Sequence, residues 1–124
     1  MLGWSIYIYR QDLIKEPQAV WPRERGQTAS WLAGWGGLDW LDALVEKGDA
    51  TYLGGDGYPL KYTALAANVL PLIARGPPKH DAPLVIGDDY IMPGGWTGEF
   101  KVFRWRVMRC PSDTLLQIHA WDQS

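Results

Sequence analysis

The stretch Trp4-Ser5-Ile6-Tyr7-Ile8-Tyr9-Arg10 decides the fold class, because its side chains alternate with a period of two. This period indicates a β-strand, in which successive side chains point to opposite faces of a sheet. The set expected to face the core is Trp4, Ile6 and Ile8. The opposite set, aromatic yet partly polar, is Ser5, Tyr7 and Tyr9. The chain therefore contains a sheet with one apolar face that other elements must cover.

Further strands are indicated along the chain. Patterns typical of strands occur at 50–53, 58–62, 84–86 and 115–121. The first two flank the glycine-rich loop 54–57, which predicts a β-hairpin.

Residues 101–109 admit two interpretations. Phe103, Trp105 and Val107 alternate with arginines and a methionine, which favours a strand with an arginine face. Phe103, Val107 and Cys110 also fit one stripe of a helix, so the helix is the alternative.

The clearest helix is 38–47. Its apolar residues recur at helical spacing, its acidic residues lie near the start, and Gly48 follows as a C-terminal cap. A shorter helix, capped by Thr28 and interrupted by glycines, is expected to carry Trp31 and Trp35.

The remaining helix is expected to start after a cap at Thr63 and to stop at Gly76, with a kink or early end at Pro71. Strands near both ends, a central hairpin and the two longer helices between them predict an α+β fold: a mostly antiparallel β-sheet with two helices packed on one face. We expect residues 1–124 to form a single globular domain.

The composition narrows the class of protein. A chain of 124 residues, 47% of them hydrophobic, can bury one core but not two. The 14 acidic and 12 basic residues give a net charge of −2, which disfavours nucleic acid as a partner. No segment approaches the roughly 20 apolar residues that span a bilayer. With one cysteine, no disulfide framework and no signal-peptide pattern, we expect a cytoplasmic protein without membrane association.

The chain contains eight tryptophans, each able to bury roughly 150–250 Å². Those on periodic apolar faces, expected in the core, are Trp4, Trp40 and Trp105. Those in proline- or glycine-rich segments, expected at the surface, are Trp21, Trp35 and Trp96. Trp31 and Trp121 are left open.

Exposed aromatic and arginine side chains predict a recognition surface, because Trp, Tyr and Arg are enriched in binding hot spots. The residues expected to form it are Tyr7, Tyr9, Trp21, Trp35, Tyr58, Trp96, Arg104 and Arg106. The alternative carries equal weight: the loop tryptophans fold back over the helices and the arginines are a solvated face. We expect a protein partner, with the chain folding alone or as a homodimer.

A small metal- or ligand-binding enzyme is the alternative function. Imidazole and carboxylate groups suit zinc or a non-haem metal, and the residues that would form this pocket are His80, Asp88, Asp89 and His119. Their spacing matches no metal motif. A nucleophile at Cys110 with His119 as base is weaker, since lone cysteines are more often small buried hydrophobic residues. We expect no catalytic residue and no cofactor.

Three segments carry a resemblance: Gly3-Trp4-Ser5-Ile6-Tyr7-Ile8-Tyr9-Arg10, Gly54-Gly55-Asp56-Gly57-Tyr58-Pro59 and His119-Ala120-Trp121-Asp122. They resemble segments of small uncharacterised bacterial cytosolic proteins. Within that group, the size, the single domain and the lack of a catalytic signature resemble immunity proteins of bacterial toxin systems. The resemblance implies a non-enzymatic protein-binding function and transfers no functional residue.

Overall fold

A computed structural model describes residues 3–13, 27–57, 59–73, 76, 78, 84–86, 90–92 and 97–122. The strands are β1 (Trp4–Arg10), β2 (Gln27–Ala33), β3 (Ala50–Gly54), β4 (Leu60–Leu65), β5 (Leu84–Ile86), β6 (Tyr90–Met92), β7 (Thr97–Val102) and β8 (Leu115–Asp122). The helices are α1 (Asp39–Lys47), α2 (Ala66–Ile73) and α3 (Arg104–Arg109). Short 3-10 turns lie at Gln11–Leu13 and Trp35–Leu38.

Six strands form one antiparallel sheet in the order β3, β4, β8, β1, β2, β7. β1 lies inside this sheet, with Ile6 opposite Trp31 of β2 on one side and Ala120 of β8 on the other. β5 and β6 pair with each other as a separate antiparallel ladder. The predicted α+β fold with a mostly antiparallel sheet is confirmed.

The core lies between one face of the sheet and the first two helices. From the sheet it contains Ile6, Ile8, Ala29, Trp31, Ala33, Ala50, Tyr62, Ala64, Leu116, Ile118 and Ala120. From the helices it contains Leu41 and Leu44 of α1 and Ala66, Val69, Leu70 and Ile73 of α2. Each large aliphatic side chain buried in this way stabilises the fold by about 1.5–3 kcal/mol. Both helices therefore cover the apolar face that the alternation in β1 predicted.

The opposite face of the sheet is polar but also largely buried. Its buried polar residues are Ser5, Thr28, Ser30, Gln117 and His119. Hydroxyl groups on this face bond to the neighbouring strands: Thr28 donates to the carbonyl oxygen of Ile8 at 3.2 Å, and Thr63 donates to that of Leu116 at 3.0 Å. Such bonds offset the cost of removing hydroxyls from water.

The helix predicted at 38–47 is confirmed as α1, which begins one residue later at Asp39. Gly48 ends it in the left-handed conformation with φ at 85°, a region that glycine enters without steric cost. The N–H of Gly48 donates to the carbonyl oxygen of Val45, and that of Asp49 donates to Leu44. The sequence therefore specifies both ends of α1 locally.

The helix predicted after Thr28 is wrong, because the segment forms β2. Ala29, Trp31 and Ala33 alternate into the core, a period of two that the predicted helix cap obscured. Pairing with β1 on one side and β7 on the other satisfies the backbone. Trp31, which the sequence left open, is thus a core residue.

The strand favoured for 101–109 is also wrong beyond Val102, where β7 ends and α3 begins at Arg104. The helical alternative holds: Val107 of α3 and Cys110, which directly follows the helix, pack partly buried against the core. Trp105 lies on the outer side and is 72% exposed, which contradicts its assignment to the core. Trp4 and Trp40 do pack against the core, each partly buried.

The helix predicted to start after Thr63 is α2, which starts at Ala66 because β4 continues to Leu65. The N–H groups of Ala66 and Ala67 donate to carbonyl oxygens in the loop before β8, which satisfies two of the groups left free at a helix start. The helix continues through Pro71 to Ile73, so the early end expected at the proline does not occur there. None of the described helices is both long and apolar enough to cross a membrane.

Candidate binding surfaces

The exposed side of α3 is the first candidate surface. It consists of Arg104, Trp105, Met108 and Arg109, and we call it the basic surface. The sequence of α3 contains three arginines and no acidic residue, in a chain whose net charge is negative. Trp105 and Met108 are 72% and 74% exposed. The surface therefore combines apolar contact area with positive charge.

The arginines of α3 have different contacts. The Arg106 guanidinium donates to the carbonyl oxygen of Gln27 at 3.0 Å and lies 4.4 Å from the ring centroid of Phe103. The hydrogen bond to Gln27 ties α3 to β2. The Arg109 guanidinium lies 5.9 Å from the ring centroid of Trp105, within cation–π range on the exposed side. Of the two predicted binding arginines, Arg104 is exposed, whereas Arg106 has a structural contact.

The two tyrosines predicted to extend this surface lie on β1, on the polar face of the sheet. The rings of Tyr7 and Tyr9 stack with centroids 6.3 Å apart and planes at 14°. Tyr9 is only 3% exposed, which contradicts its placement on an open surface. Tyr7 is half-buried and, with Lys101 and Phe103, lines a cavity of about 270 Å³ beside β2 and β7.

His119 lies fully buried on the same polar face. Its Nε2 donates to Oε1 of Gln117 at 3.1 Å, while its buried Nδ1 has no hydrogen-bond partner among the described residues. The ring centroid of Tyr9 lies 5.3 Å from that of His119. Burial, followed by the positive charge of Lys61, lowers the pKa of His119 to about 4. The imidazole is therefore neutral at pH 7.

The described residues do not support the two chemical alternatives, a Cys110 nucleophile and a metal site. Burial raises the pKa of the Cys110 thiol, which opposes formation of the thiolate that a nucleophile requires. Within the described residues, no three His, Cys, Asp or Glu side chains come together as ligands for a metal ion. Of the metal candidates, His80, Asp88 and Asp89 lie outside the described residues.

Other predicted binding residues also lie outside the part of the chain that the structure describes. These are Trp21, Tyr58 and Trp96, together with the side chain of Trp35, whose backbone opens a 3-10 turn. Their role in recognition stays a prediction.

A second candidate surface was missed by the sequence interpretation. It is a groove of about 560 Å³ between α1 and the β3–β4 hairpin, and we call it the acidic groove. Its lining consists of Trp4, Leu38, Asp42, Val45, Glu46, Tyr52, Leu60 and Tyr62. In the observed hairpin register Tyr52 pairs with Tyr62, which places these two aromatic rings together.

Comparison of the chain with protein-family models, curated proteins and solved structures found no match in any of the three.

Proposed function

We propose that the chain is a non-enzymatic protein-binding module of bacterial type, a toxin-neutralising immunity protein, that holds its partner through the basic surface. The observation that carries this proposal is the exposure of Trp105 beside Met108 and the arginines of α3. A tryptophan left largely in water contributes little to folding, yet it is the residue type most enriched in binding hot spots. The immunity class rests on the sequence resemblance.

The geometry of α3 favours a preorganised contact. Val107 and Cys110 anchor the inner side of the helix, and Arg106 ties it to β2 through the Gln27 carbonyl. The outer side chains are therefore presented from a fixed backbone, which lowers the entropy lost on binding.

The charge of the basic surface defines the partner. Its two exposed arginines, Arg104 and Arg109, have no acidic neighbour on the helix, so they fit a protein with an acidic surface around an apolar pocket that accepts the Trp105 indole. Opposite charges also steer the encounter, so the association rate is expected to fall as salt concentration rises.

The test uses, as its probe, the purified product of the gene directly upstream, titrated into this protein by calorimetry. We expect binding by the wild type and a loss of more than about 30-fold in Kd for Trp105→Ala, since a hot-spot residue contributes more than about 2 kcal/mol. Leu72→Ala is the matched control, because Leu72 is an exposed apolar residue on α2. Its Kd should equal that of the wild type.

Two results would contradict the proposal. One is the absence of binding between the wild-type protein and the probe. The other is a Kd for Trp105→Ala that equals the wild-type value.

A further inference from the structure

The acidic groove lies far along the sheet from α3. β3, which forms one wall of the groove with β4, is one edge strand of the sheet, and β7, which leads into α3, is the other. The lining also includes Trp4 of β1 and Leu60 of β4, together with Leu38 from the 3-10 turn before α1 and Val45 from α1 itself. A ligand in the groove would therefore not contact the basic surface.

Aromatic rings form the inner walls of the groove. The rings of Tyr52 and Tyr62 have centroids 5.2 Å apart and planes inclined at 52°, so they form a corner instead of a flat stack. Trp4 lines the same cavity. Aromatic faces are electron-rich, and a cation within about 6 Å of a ring centroid is attracted to them.

Carboxylates supply negative charge at the same place. Of the described residues that line the groove, the charged ones are Asp42 and Glu46. They are four residues apart and therefore lie on the same side of α1. Among the described residues, neither carboxylate has an ion-pair partner.

The surroundings of Asp42 disfavour its ionised form. Burial, followed by the nearby charge of Asp39, raises the pKa of Asp42, although the Tyr62 hydroxyl donates a hydrogen bond to its carboxylate. A cation in the groove would offset both unfavourable effects.

We infer that the acidic groove binds a small quaternary ammonium compound, with the alkylated nitrogen in the corner that the Tyr52 and Tyr62 rings form and its charge facing Asp42 and Glu46. A volume of about 560 Å³ lies within the roughly 300–1,000 Å³ of small-molecule sites. A quaternary nitrogen suits the groove better than a metal ion, because its methyl groups contact the apolar walls while its charge is attracted to the aromatic rings and the carboxylates.

The test compares choline with its neutral carbon isostere, 3,3-dimethyl-1-butanol, by titration followed in two-dimensional NMR spectra of the full chain. We expect saturable shifts at Trp4, Val45 and Tyr52 with choline, and a Kd at least about tenfold weaker for the isostere, since the isostere keeps the shape and loses the charge. Glu46→Gln and Tyr52→Leu should each weaken choline binding by about fivefold or more. Both side chains are exposed, so these variants are expected to fold.

The control is Glu99→Gln, which removes a carboxylate from β7, at the far edge of the sheet. Its affinity for choline should equal the wild-type value. Equal affinities for choline and the isostere would overturn the inference, as would the absence of saturable shifts up to about 50 mM choline. A peptide containing trimethyl-lysine that binds more than about tenfold tighter than choline would also overturn it, in favour of a protein ligand. None of these results depends on the basic surface.

Discussion

The basic surface and the acidic groove both combine aromatic rings with charge, but the fold holds their rings differently. Trp105 projects from α3 and is 72% exposed, whereas Tyr62 is 4% exposed and belongs to the core. The Tyr62 ring contacts Tyr52, and its hydroxyl bonds to Asp42. Binding and stability should therefore be separable on the basic surface and coupled at Tyr62 of the acidic groove.

The largest expected effect tests this coupling directly. Tyr62→Ala removes a buried aromatic ring from the core, and such truncations cost about 3–5 kcal/mol in the free energy of unfolding. Urea denaturation measures the loss. Tyr52→Ala is the matched variant, because Tyr52 is its exposed cross-strand partner, and it should cost less than about 1 kcal/mol. Similar values for the two tyrosines would show that Tyr62 contributes no more to stability than its exposed partner does.

The pH dependence of stability has to be known before binding is compared at the two surfaces. His119 on the polar face is expected to destabilise the fold in acid, and this loss of stability would resemble a loss of binding. The pKa of His119 is about 4 in the folded protein and 6.5 in the unfolded chain. Between these values the unfolded state binds the proton that the folded state excludes. Stability should therefore fall as the pH decreases from about 6.5 to 4, by up to about 1.4 kcal/mol per pH unit.

His119→Gln isolates this effect, since glutamine does not titrate and can still donate to Gln117. The difference in unfolding free energy between wild type and variant, measured at several pH values, should shrink as the pH falls below 6.5 if the wild type starts more stable. Parallel curves for the two proteins would exclude His119 as the cause.

Local patterns in the sequence predicted some elements of the fold correctly and misplaced others. The alternation in residues 4–10 was sufficient to predict the sheet, and Gly48 was sufficient to end α1, since both signals act within a few residues. Trp105 was misplaced because RWRVMR fits either a strand with an arginine face or a helix with Val107 inward. Packing against the rest of the fold decides between them.

The acidic groove could not be predicted for a different reason. Its lining comes from β1, α1, β3 and β4, so its shape depends on how distant segments pack. Asp42 illustrates the problem, because in the sequence it is explained by its place near the positive start of a helix. Only the fold brings it to the Tyr62 hydroxyl.

A smaller effect is expected on α3, where the two sides of the helix can be compared. Trp105→Ala should change the free energy of unfolding by less than about 0.5 kcal/mol, because the side chain is mostly in water. Val107→Ala, on the inner side, should cost about 1 kcal/mol, since Val107 packs partly buried against the core. Thermal and urea denaturation of both variants check the difference. A larger loss for Trp105→Ala than for Val107→Ala would remove the distinction on which the proposed function rests.

The smallest expected effect is a gain in stability at Asp42. A carboxyl group with a raised pKa in the folded state destabilises that state when ionised, so Asp42→Asn should increase the free energy of unfolding at pH 7 by a few tenths of a kcal/mol, roughly the range of surface changes. The asparagine oxygen can still accept the Tyr62 hydroxyl. The gain should disappear near about pH 3, where Asp42 itself is protonated. Urea denaturation of the wild type and the variant at the two pH values measures this gain. A loss of stability for the variant at pH 7 would mean that other groups in the groove already stabilise the carboxylate. In that case the driving force that we assign to binding a cation there would be absent, although the aromatic walls would remain.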